Sequence, residues 1–288
     1  MRPLFEWQLR SRRLRLGERT LIMGIVNVTP DSFSDGGQFL DPIRAVDHGL
    51  ELLRQGADIL DIGGESTRPG AKDAVSAEEE KRRIMPVIEG ILRQVPEAVI
   101  SVDTYKAETA KAAVAAGAEI VNDVSGLSWD EQMLSTLAVE CSGCVLVHTR
   151  GRPEEWRSLP PLAQNEVVPL VLKELRALAT RATEAGIARE RIVLDPGFGF
   201  GKRLDENYPL LANLSELQRL GFPLLSGTSR KSFVAKAIDP HFPASDRLAG
   251  TISAATATIL QGTHIVRVHD VSPVLEAARV ADAILRNG

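Results

Sequence analysis

The sequence has no long apolar run, only two cysteines and no excess of positive charge. It contains 288 residues with a mean hydropathy of −0.04, which is ordinary for a globular protein. No run of about 18 consecutive apolar residues occurs, so we predict that no helix spans a membrane. The formal net charge of −4 and the isoelectric point near 5.8 argue against nucleic acid as the main ligand.

The two cysteines, Cys141 and Cys144, form the motif C-S-G-C. A redox pair of this spacing lies at a helix N-terminus, where the helix dipole lowers the thiol pKa. Here the apolar pattern predicts the reverse order, with a helix that ends before Cys141 and a strand that begins at Cys144. We therefore expect two buried structural thiols, and so few cysteines favour a reducing cytoplasm as the location.

The N-terminal segment lacks the apolar core of a secretory signal. Residues 9–19 are basic, and no apolar region follows them before the first predicted barrel strand. Leu14 and Leu16 alternate with arginines, which favours a short surface hairpin over the alternative, an arm that directs the chain to an organelle. We predict that residues 1–20 form this hairpin arm.

One pattern is repeated along the rest of the chain. A helix ends at a glycine, a short apolar run follows, and a polar residue ends the run. The runs are continuous rather than alternating, which is typical of parallel strands buried on both faces. The glycines at positions where a left-handed backbone is expected are Gly56, Gly117, Gly143, Gly186, Gly221 and Gly262.

Amphipathic helices are predicted between the apolar runs. In the first of them, Asp41 is a candidate N-cap and Pro42 the first helical residue. Its predicted apolar stripe consists of Ile43, Val46, Leu50 and Leu53. We count eight strand-plus-helix units without a linker between them. The sequence therefore predicts a single-domain (β/α)8 TIM barrel over residues 21–288 rather than an open doubly wound sheet.

A polar residue ends every predicted barrel strand. The strand ends of such a barrel meet at its C-terminal mouth, where active sites are found. One such residue is easily explained, because Asp and Asn often cap turns, but a complete set predicts a polar site. In chain order the residues are Asn27, Asp61, Asp103, Asn122, His148, Asp195, Ser226 with Thr228, and Arg267 with His269.

The glycine-rich segment G-F-G-F-G-K, at 197–202, invites comparison with phosphate-binding loops. A P-loop requires Ser or Thr after its lysine, and Arg203 follows Lys202 instead. The spacing G-x-G-x-x-G also fails, because Gly201 comes one residue too early. We interpret the glycines as a tight loop beneath a flat ring, with Phe200 available to pack near that ring.

Seven motifs, in this order, resemble the dihydropteroate synthase family of pterin-binding enzymes. They are NVTPDSFSDGG (27–37), DIGGESTRPG (61–70), SVDT (101–104), VNDVSG (121–126), DPGFGFGK (195–202), SRKS (229–232) and RVHD (267–270). The resemblance implies a cytoplasmic, homodimeric transferase of folate biosynthesis that uses Mg²⁺. Its substrates would be 6-hydroxymethyl-7,8-dihydropterin pyrophosphate and 4-aminobenzoate, and pyrophosphate would be released.

The resemblance also implies roles for individual side chains. The pterin would be bound by Asp103, Asn122, Asp195, Phe200 and Lys231. Pyrophosphate would be bound by Thr67, Arg68, Arg267 and His269. The 4-aminobenzoate pocket would contain Phe33, Thr67, Pro69 and Ser232, and Asn27 would contact Mg²⁺. The catalytic residues would be Asp195, Lys231, Arg267 and His269.

Elementary chemistry agrees with these implied roles. Carboxylates suit the N–H donors of a pterin edge, and arginine forks fit phosphate oxygens. An aromatic amine is already neutral at pH 7, so the departure of pyrophosphate is the step that needs help, and we expect a dissociative substitution.

The loops 28–37 and 64–72 resemble the family's mobile loops, which would exclude water. Arg230 taken alone is expected to form a surface ion pair.

Two alternatives remain at this point. A methyltransferase that carries a methyl group from methyltetrahydrofolate to a corrinoid protein would share the carboxylate and amide pocket, but it does not need the cations of S-R-K-S and R-V-H. A catalytically silent pterin-binding paralogue is disfavoured because every expected motif position is filled. Val147 and Thr149 depart from the family, which commonly has methionines there, so a ring-face contact from this strand is not carried over.

Overall fold

The structure is a computed structural model that describes residues 2–29, 41–66, 75–239 and 241–288. Over these residues it contains a two-stranded antiparallel hairpin and an eight-stranded parallel sheet. The hairpin strands are β1 (Phe5–Gln8) and β2 (Arg13–Leu16). The barrel strands are β3 (Leu21–Asn27), β4 (Ile59–Gly63), β5 (Ile100–Asp103), β6 (Ile120–Asp123), β7 (Gly143–Val147), β8 (Ile192–Asp195), β9 (Leu225–Ser226) and β10 (Ile265–Val268).

The parallel sheet curls into a nearly closed barrel. Its strand order is β8-β7-β6-β5-β4-β3-β10-β9. A parallel bridge between Leu194 and Leu224 joins β8 to the segment that leads into β9. The predicted (β/α)8 barrel is therefore confirmed.

Helices separate the strands and cover the outside of the barrel. They are α1 (Pro42–Arg54), α2 (Ala77–Gln94), α3 (Ala107–Ala115), α4 (Met133–Glu140), α5 (Gln164–Glu184), α6 (Asn207–Ala212), α7 (Ser232–Lys236), α8 (Leu248–Leu260) and α9 (Val271–Asn287). Among the residues that the structure describes, no helix combines the length and the apolar composition that crossing a membrane requires.

The first helix begins as predicted, but its buried face differs. The Asp41 side chain accepts a hydrogen bond from Ile43 N at 2.9 Å. Ile43 itself is 71% exposed, so its place in the predicted stripe was wrong. The buried face contains Ala45, Val46, Gly49 and Leu52. A Cβ on Gly49 would lie 2.7 Å from Ile91 Cδ1, so the small residues, which a search for large apolar side chains overlooks, allow α2 to approach.

Five of the six predicted glycines have a positive φ, and Gly143 does not. Gly143 is the first residue of β7, and the left-handed position after α4 is taken by Cys141, with φ of 54°. Cys141 is exposed, so the prediction that both thiols are buried was wrong for this one. Cys144 is buried, and burial raises the pKa of its thiol to about 12.

The hairpin closes the N-terminal end of the barrel. Trp7, Leu9 and Leu16 are buried and share one apolar cluster with inward residues of the barrel strands. Trp7 Nε1 also donates to Arg191 O at 2.8 Å. The hairpin was predicted, but its place on the surface was wrong, because its apolar face fills the barrel floor. The division into residues 1–20 and 21–288 stays a prediction.

Alternation along the strands explains the polar mouth. Side chains of a strand point alternately to its two faces. The floor cluster contains Ile59, Ile120, Val193 and Ile265, among others. Two residues further along the same strands, on the same inward side, lie Asp61, Asn122, Asp195 and Arg267. The barrel interior therefore changes from apolar at the hairpin end to charged at the C-terminal end.

Candidate active site

A fully buried carboxylate, Asp61, lies at the centre of the polar mouth. Its Oδ2 accepts hydrogen bonds from Asn122 Nδ2 at 2.9 Å and from Arg267 Nε at 2.5 Å. Its Oδ1 accepts from Ser101 Oγ at 2.6 Å. Asp61 therefore joins β4 to β5, β6 and β10, and it fixes the orientation of two predicted site residues. Sequence reasoning noted Asp61 only as a strand end and missed Ser101.

Arg267 also pairs with Asp103. Its Nη2 donates to Asp103 Oδ2, so one guanidinium links two carboxylates of neighbouring strands. Burial opposes the charge of Arg267, but Asp61 and Asp103 outweigh it and raise its pKa. Burial raises the pKa of Asp103 to about 7, an effect that Arg267 opposes and Asp61 reinforces. The two ion pairs hold Arg267 in the mouth with further N–H donors available.

Asp195 ends β8 and is almost fully buried. Its Oδ1 accepts a hydrogen bond from Gly197 N at 2.7 Å, which leaves Oδ2 available. Burial raises the pKa of Asp195 to about 6, although the Gly197 N–H, Lys231 and Arg267 oppose the rise. Asn122 presents a second acceptor, because its Oδ1 is buried and has no hydrogen-bond partner within the described residues. Such acceptors suit a ligand that carries several N–H donors.

Lys231 and Phe200 meet beside Asp195. The Lys231 ammonium lies 3.9 Å from the centroid of the Phe200 ring, a cation–π contact. Phe200 also meets Trp156 in an edge-to-face contact, with ring centroids 5.5 Å apart. The structure therefore brings together an aromatic face, a cation and a carboxylate, as the sequence predicts for a site that binds a flat polar ring.

The glycine-rich loop 197–202 is tied down by two buried side chains. Lys202 Nζ donates to Gly197 O at 2.8 Å, to Phe200 O at 3.2 Å and to His148 O at 3.3 Å. Burial lowers the pKa of Lys202 to about 7, and Asp195 opposes this. Asn207 Oδ1 accepts from Gly199 N at 2.7 Å. The predicted tight loop is present, but these two contacts were not foreseen.

The S-R-K-S and R-V-H segments lie next to each other at the mouth. Ser229 Oγ is 3.0 Å from His269 Nδ1. Arg230 pairs with Asp270, with Nη2 to Oδ1 at 2.7 Å and Nε to Oδ2 at 3.0 Å. The expected ion pair of Arg230 is therefore confirmed. Ser232, predicted for the 4-aminobenzoate pocket, is the exposed first residue of α7.

His148 does not belong to the mouth. It follows the inward residue Val147, so its side chain points outward, where Nε2 lies 2.8 Å from Glu174 Oε2 of α5. Burial lowers the pKa of His148 to about 4. A structural pairing between β7 and α5 therefore explains this strand-end residue.

Asn27 is the last residue of β3, on the inward side and half-buried. Across the described ranges, no group of three or more His, Cys, Asp or Glu side chains is arranged to hold a metal ion. Mg²⁺ often takes only one or two protein oxygens and completes its shell with phosphate oxygens and water. A single amide at this position fits an ion that arrives with a phosphorylated substrate.

Several predicted site residues lie outside the described residues. They are Phe33, Thr67, Arg68 and Pro69, together with most of the loops 28–37 and 64–72. Their assigned roles stay predictions.

Known proteins resemble this chain in sequence and fold. The family model described as "Pterin binding enzyme" matches residues 23–269. Dihydropteroate synthase of Synechocystis sp. is 42% identical over 98% of this chain and 93% of its own. Xanthomonas albilineans dihydropteroate synthase with 4-aminobenzoic acid has a TM-score of 0.88 and 42% identity, covering 99% of both chains. The same enzyme in complex with 7,8-dihydropteroate has a TM-score of 0.85 and 40% identity, covering 97% of this chain and 98% of the other. The chain belongs to the dihydropteroate synthase family of pterin-binding enzymes.

Proposed function

We propose that this chain condenses 6-hydroxymethyl-7,8-dihydropterin pyrophosphate with 4-aminobenzoate, forming 7,8-dihydropteroate and pyrophosphate in folate biosynthesis. The observation that carries the proposal is the meeting of unfilled acceptors and cations at one barrel mouth. Asn122 Oδ1 and Asp195 Oδ2 suit the N–H donors of an aminopyrimidinone edge. Arg267 and Lys231 lie beside them and suit the charge of the leaving group.

The pterin would bind with its polar edge toward Asn122 and Asp195. Asp103 would hold Arg267 in place through their ion pair rather than act alone. Phe200 and the Lys231 stem would offer an apolar surface to the ring, and Val147 would add another, since it is inward and lies beside Asp195 in the sheet. In this pose the reactive exocyclic carbon would point toward the open mouth.

Departure of pyrophosphate is the step that these residues assist. Arg267, His269 and Lys231, together with Arg68 and Thr67, would stabilise the charge that develops on the leaving group, each such contact contributing on the order of 10²–10³ in rate. Mg²⁺, contacted by Asn27, would neutralise phosphate charge when bound. The bound pterin would share the positive charge left on its exocyclic carbon. The neutral amine, held near Ser232, Phe33 and Pro69, would then attack.

Product analysis tests the function. We expect purified protein to form dihydropteroate only when both substrates and Mg²⁺ are present. Arg267→Ala and Lys231→Ala should slow product formation by roughly 10²-fold or more, whereas Lys173→Ala, on the exposed side of α5, should not. Folded protein that binds a pterin but forms no dihydropteroate, or that transfers a methyl group to a corrinoid protein, would contradict the proposal.

An isotope effect tests the order of bond changes. A dissociative path turns the exocyclic carbon planar before the amine attacks. The pterin pyrophosphate deuterated at that carbon should therefore react measurably more slowly than the light substrate. Equal rates, with the chemical step shown to limit turnover, would support direct displacement instead.

We also propose a homodimer that works in the cytoplasm. Two apolar residues of α9 one turn apart, Val280 and Ile284, are 63% and 53% exposed, and Leu248 and Leu260 of the neighbouring α8 are 37% and 40% exposed. Large apolar side chains exposed on two packed helices favour a partner. Sedimentation should give twice the chain mass for the wild type and the chain mass for Ile284→Arg. A monomeric wild type would contradict the dimer.

A further inference from the structure

Lys202 is a buried cation that the proposed chemistry does not use. It is 6% exposed, and its ammonium contacts three main-chain carbonyls, those of His148, Gly197 and Phe200. Three carbonyl acceptors call for the ammonium form, which has three N–H donors, so these contacts occupy all of them. Lys202 therefore has no donor left for a phosphate oxygen, even though it follows a glycine-rich segment.

Two of the three carbonyls belong to the glycine-rich loop 197–202, and the third belongs to the residue after a neighbouring strand. Gly197 is the first residue of the loop and Phe200 the fourth, while His148 directly follows β7. Gly197 approaches this strand so closely that a Cβ on it would lie 1.9 Å from His148 O. All three carbonyl oxygens lie within 3.3 Å of one atom, Lys202 Nζ, and oxygens grouped in this way repel one another unless a cation or donor lies between them. The Lys202 ammonium fills that position.

The loop that Lys202 holds carries the contacts of two predicted catalytic residues. Gly197 N donates to Asp195 Oδ1 at 2.7 Å and fixes the orientation of that carboxylate. A Cβ on Gly199 would lie 3.5 Å from Lys231 Cδ, so the Lys231 stem crosses the loop at this glycine. The Lys231 ammonium then lies over the Phe200 ring. A shift of the loop would move both catalytic groups relative to each other.

We propose that Lys202 is a positioning residue of the pterin site: its ammonium gathers the carbonyls of His148, Gly197 and Phe200, and so fixes Asp195 and Lys231 relative to one another. The inference rests on the proposed function for its ligand, a pterin. It concerns a residue that touches neither substrate, so its effect must pass through the loop.

Binding of a pterin without a pyrophosphate group tests this directly. Lys202→Met keeps an unbranched side chain that is one atom shorter and removes all three donors, and we expect the dissociation constant to rise by roughly 10- to 100-fold. Lys202→Arg retains donors and charge and should recover most of that loss. Lys173→Met, on the exposed side of α5, is the matched control and should bind as the wild type does. Circular dichroism and thermal unfolding show whether each variant is folded at the assay temperature.

A double-mutant cycle separates positioning from general destabilisation. If Lys202 acts by positioning Lys231, Lys202→Met should raise the dissociation constant for the pterin by a smaller factor in a Lys231→Met background than in the wild type. The inference would be overturned by a folded Lys202→Met variant with unchanged pterin affinity. It would also be overturned if the dissociation constant of the double variant rose by the full product of the two single-variant factors. If Lys202→Met does not fold, Lys202→Gln is measured instead and must show the same direction of change.

Assays of the wild-type protein distinguish a failure of this inference from a failure of the proposed function. Wild-type protein that binds the pterin but forms no dihydropteroate would contradict the proposed function while the Lys202 comparison still decides the inference. Wild-type protein that binds no pterin would overturn both. Full activity in folded Lys202→Met would overturn the inference alone.

Discussion

Arg267 Nε donates to Asp61 Oδ2 at 2.5 Å, and the two residues are 206 positions apart in the chain. The bond joins β10 to β4 across β3, which lies between them in the sheet. The same Asp61 oxygen accepts from Asn122, so one buried carboxylate aligns a cation and an amide. The site therefore depends on a group that needs no contact with substrate.

Asp61→Asn should destabilise the protein and weaken pterin binding. Asp61 is fully buried, and loss of its charge leaves Arg267 partly unpaired, which costs about 3–5 kcal/mol in comparable buried pairs. Urea unfolding measures the change in the free energy of unfolding. The matched control is Asp205→Asn, which removes an exposed partner of Lys236 and should cost less than about 1 kcal/mol. Equal effects of the two substitutions would contradict the role of Asp61.

Pterin binding should weaken as the pH falls through about 6, because burial raises the pKa of Asp195 to about 6. Protonation turns one acceptor oxygen into a donor that faces donors of the ligand. Calorimetry at several pH values should show this dependence in the wild type and a flatter one in Asp195→Asn. Asp103 and Lys202, whose pKa values are both shifted to about 7, titrate in both proteins, so the difference between the two curves reports mainly Asp195.

The raised pKa of Asp195 affects folding stability in the opposite direction: binding weakens as the pH falls, whereas stability decreases as the pH rises. The carboxyl has a pKa of 3.8 in its ordinary state and about 6 in the fold, so between these values the folded state binds more protons. The Asp195 contribution to stability therefore falls as the pH rises from 3.8 to 6 and is constant above that. The stability of Asp195→Asn relative to the wild type should increase over this window. A relative decrease would contradict the burial of the carboxylate.

Gly197→Ala should disrupt the loop beyond the cost of its backbone conformation. Gly197 has φ of 65°, and its Cβ would lie 1.9 Å from His148 O. Gly186 also has a positive φ, of 98°, but a Cβ there would meet nothing within 4 Å. Gly186→Ala therefore measures backbone strain alone, about 1–2 kcal/mol. We expect Gly197→Ala to lose more stability than this and to lose pterin affinity, which Gly186→Ala should retain.

Trp7→Ala should destabilise the barrel although it lies at the end opposite the site. Trp7 is fully buried in the floor cluster, and comparable truncations cost about 3–5 kcal/mol. Leu4→Ala, at a residue that is 68% exposed, should change the free energy of unfolding by no more than about 0.5 kcal/mol. Urea unfolding compares the two variants. A hairpin that only rests on the surface would make Trp7→Ala as mild as Leu4→Ala.

The sequence was sufficient for features that depend on local pattern. Helix ends at Gly56, Gly117, Gly186, Gly221 and Gly262 and the polar strand ends follow from short-range rules, so the barrel and most of its mouth could be predicted. The prediction of a left-handed backbone at Gly143 was wrong because Cys141 takes that conformation and ends α4 two residues earlier.

Features that depend on long-range pairing were missed. The partners of Asp61 lie 40, 61 and 206 positions away, so its central role becomes visible only with the strand register. His148 was grouped with the mouth because a strand end alone does not tell inward from outward. Counting every second residue from an apolar floor residue would have separated them, since Asp61 follows Ile59 by two and His148 follows Val145 by three.

The central claim is that the polar mouth of this barrel joins a pterin to 4-aminobenzoate. Its most direct test is the amount of 7,8-dihydropteroate formed by purified protein from the two substrates and Mg²⁺, identified by mass. We predict one dihydropteroate for each pyrophosphate released, with both lost together in Arg267→Ala. Folded wild-type protein that binds a pterin yet forms no dihydropteroate would contradict the account.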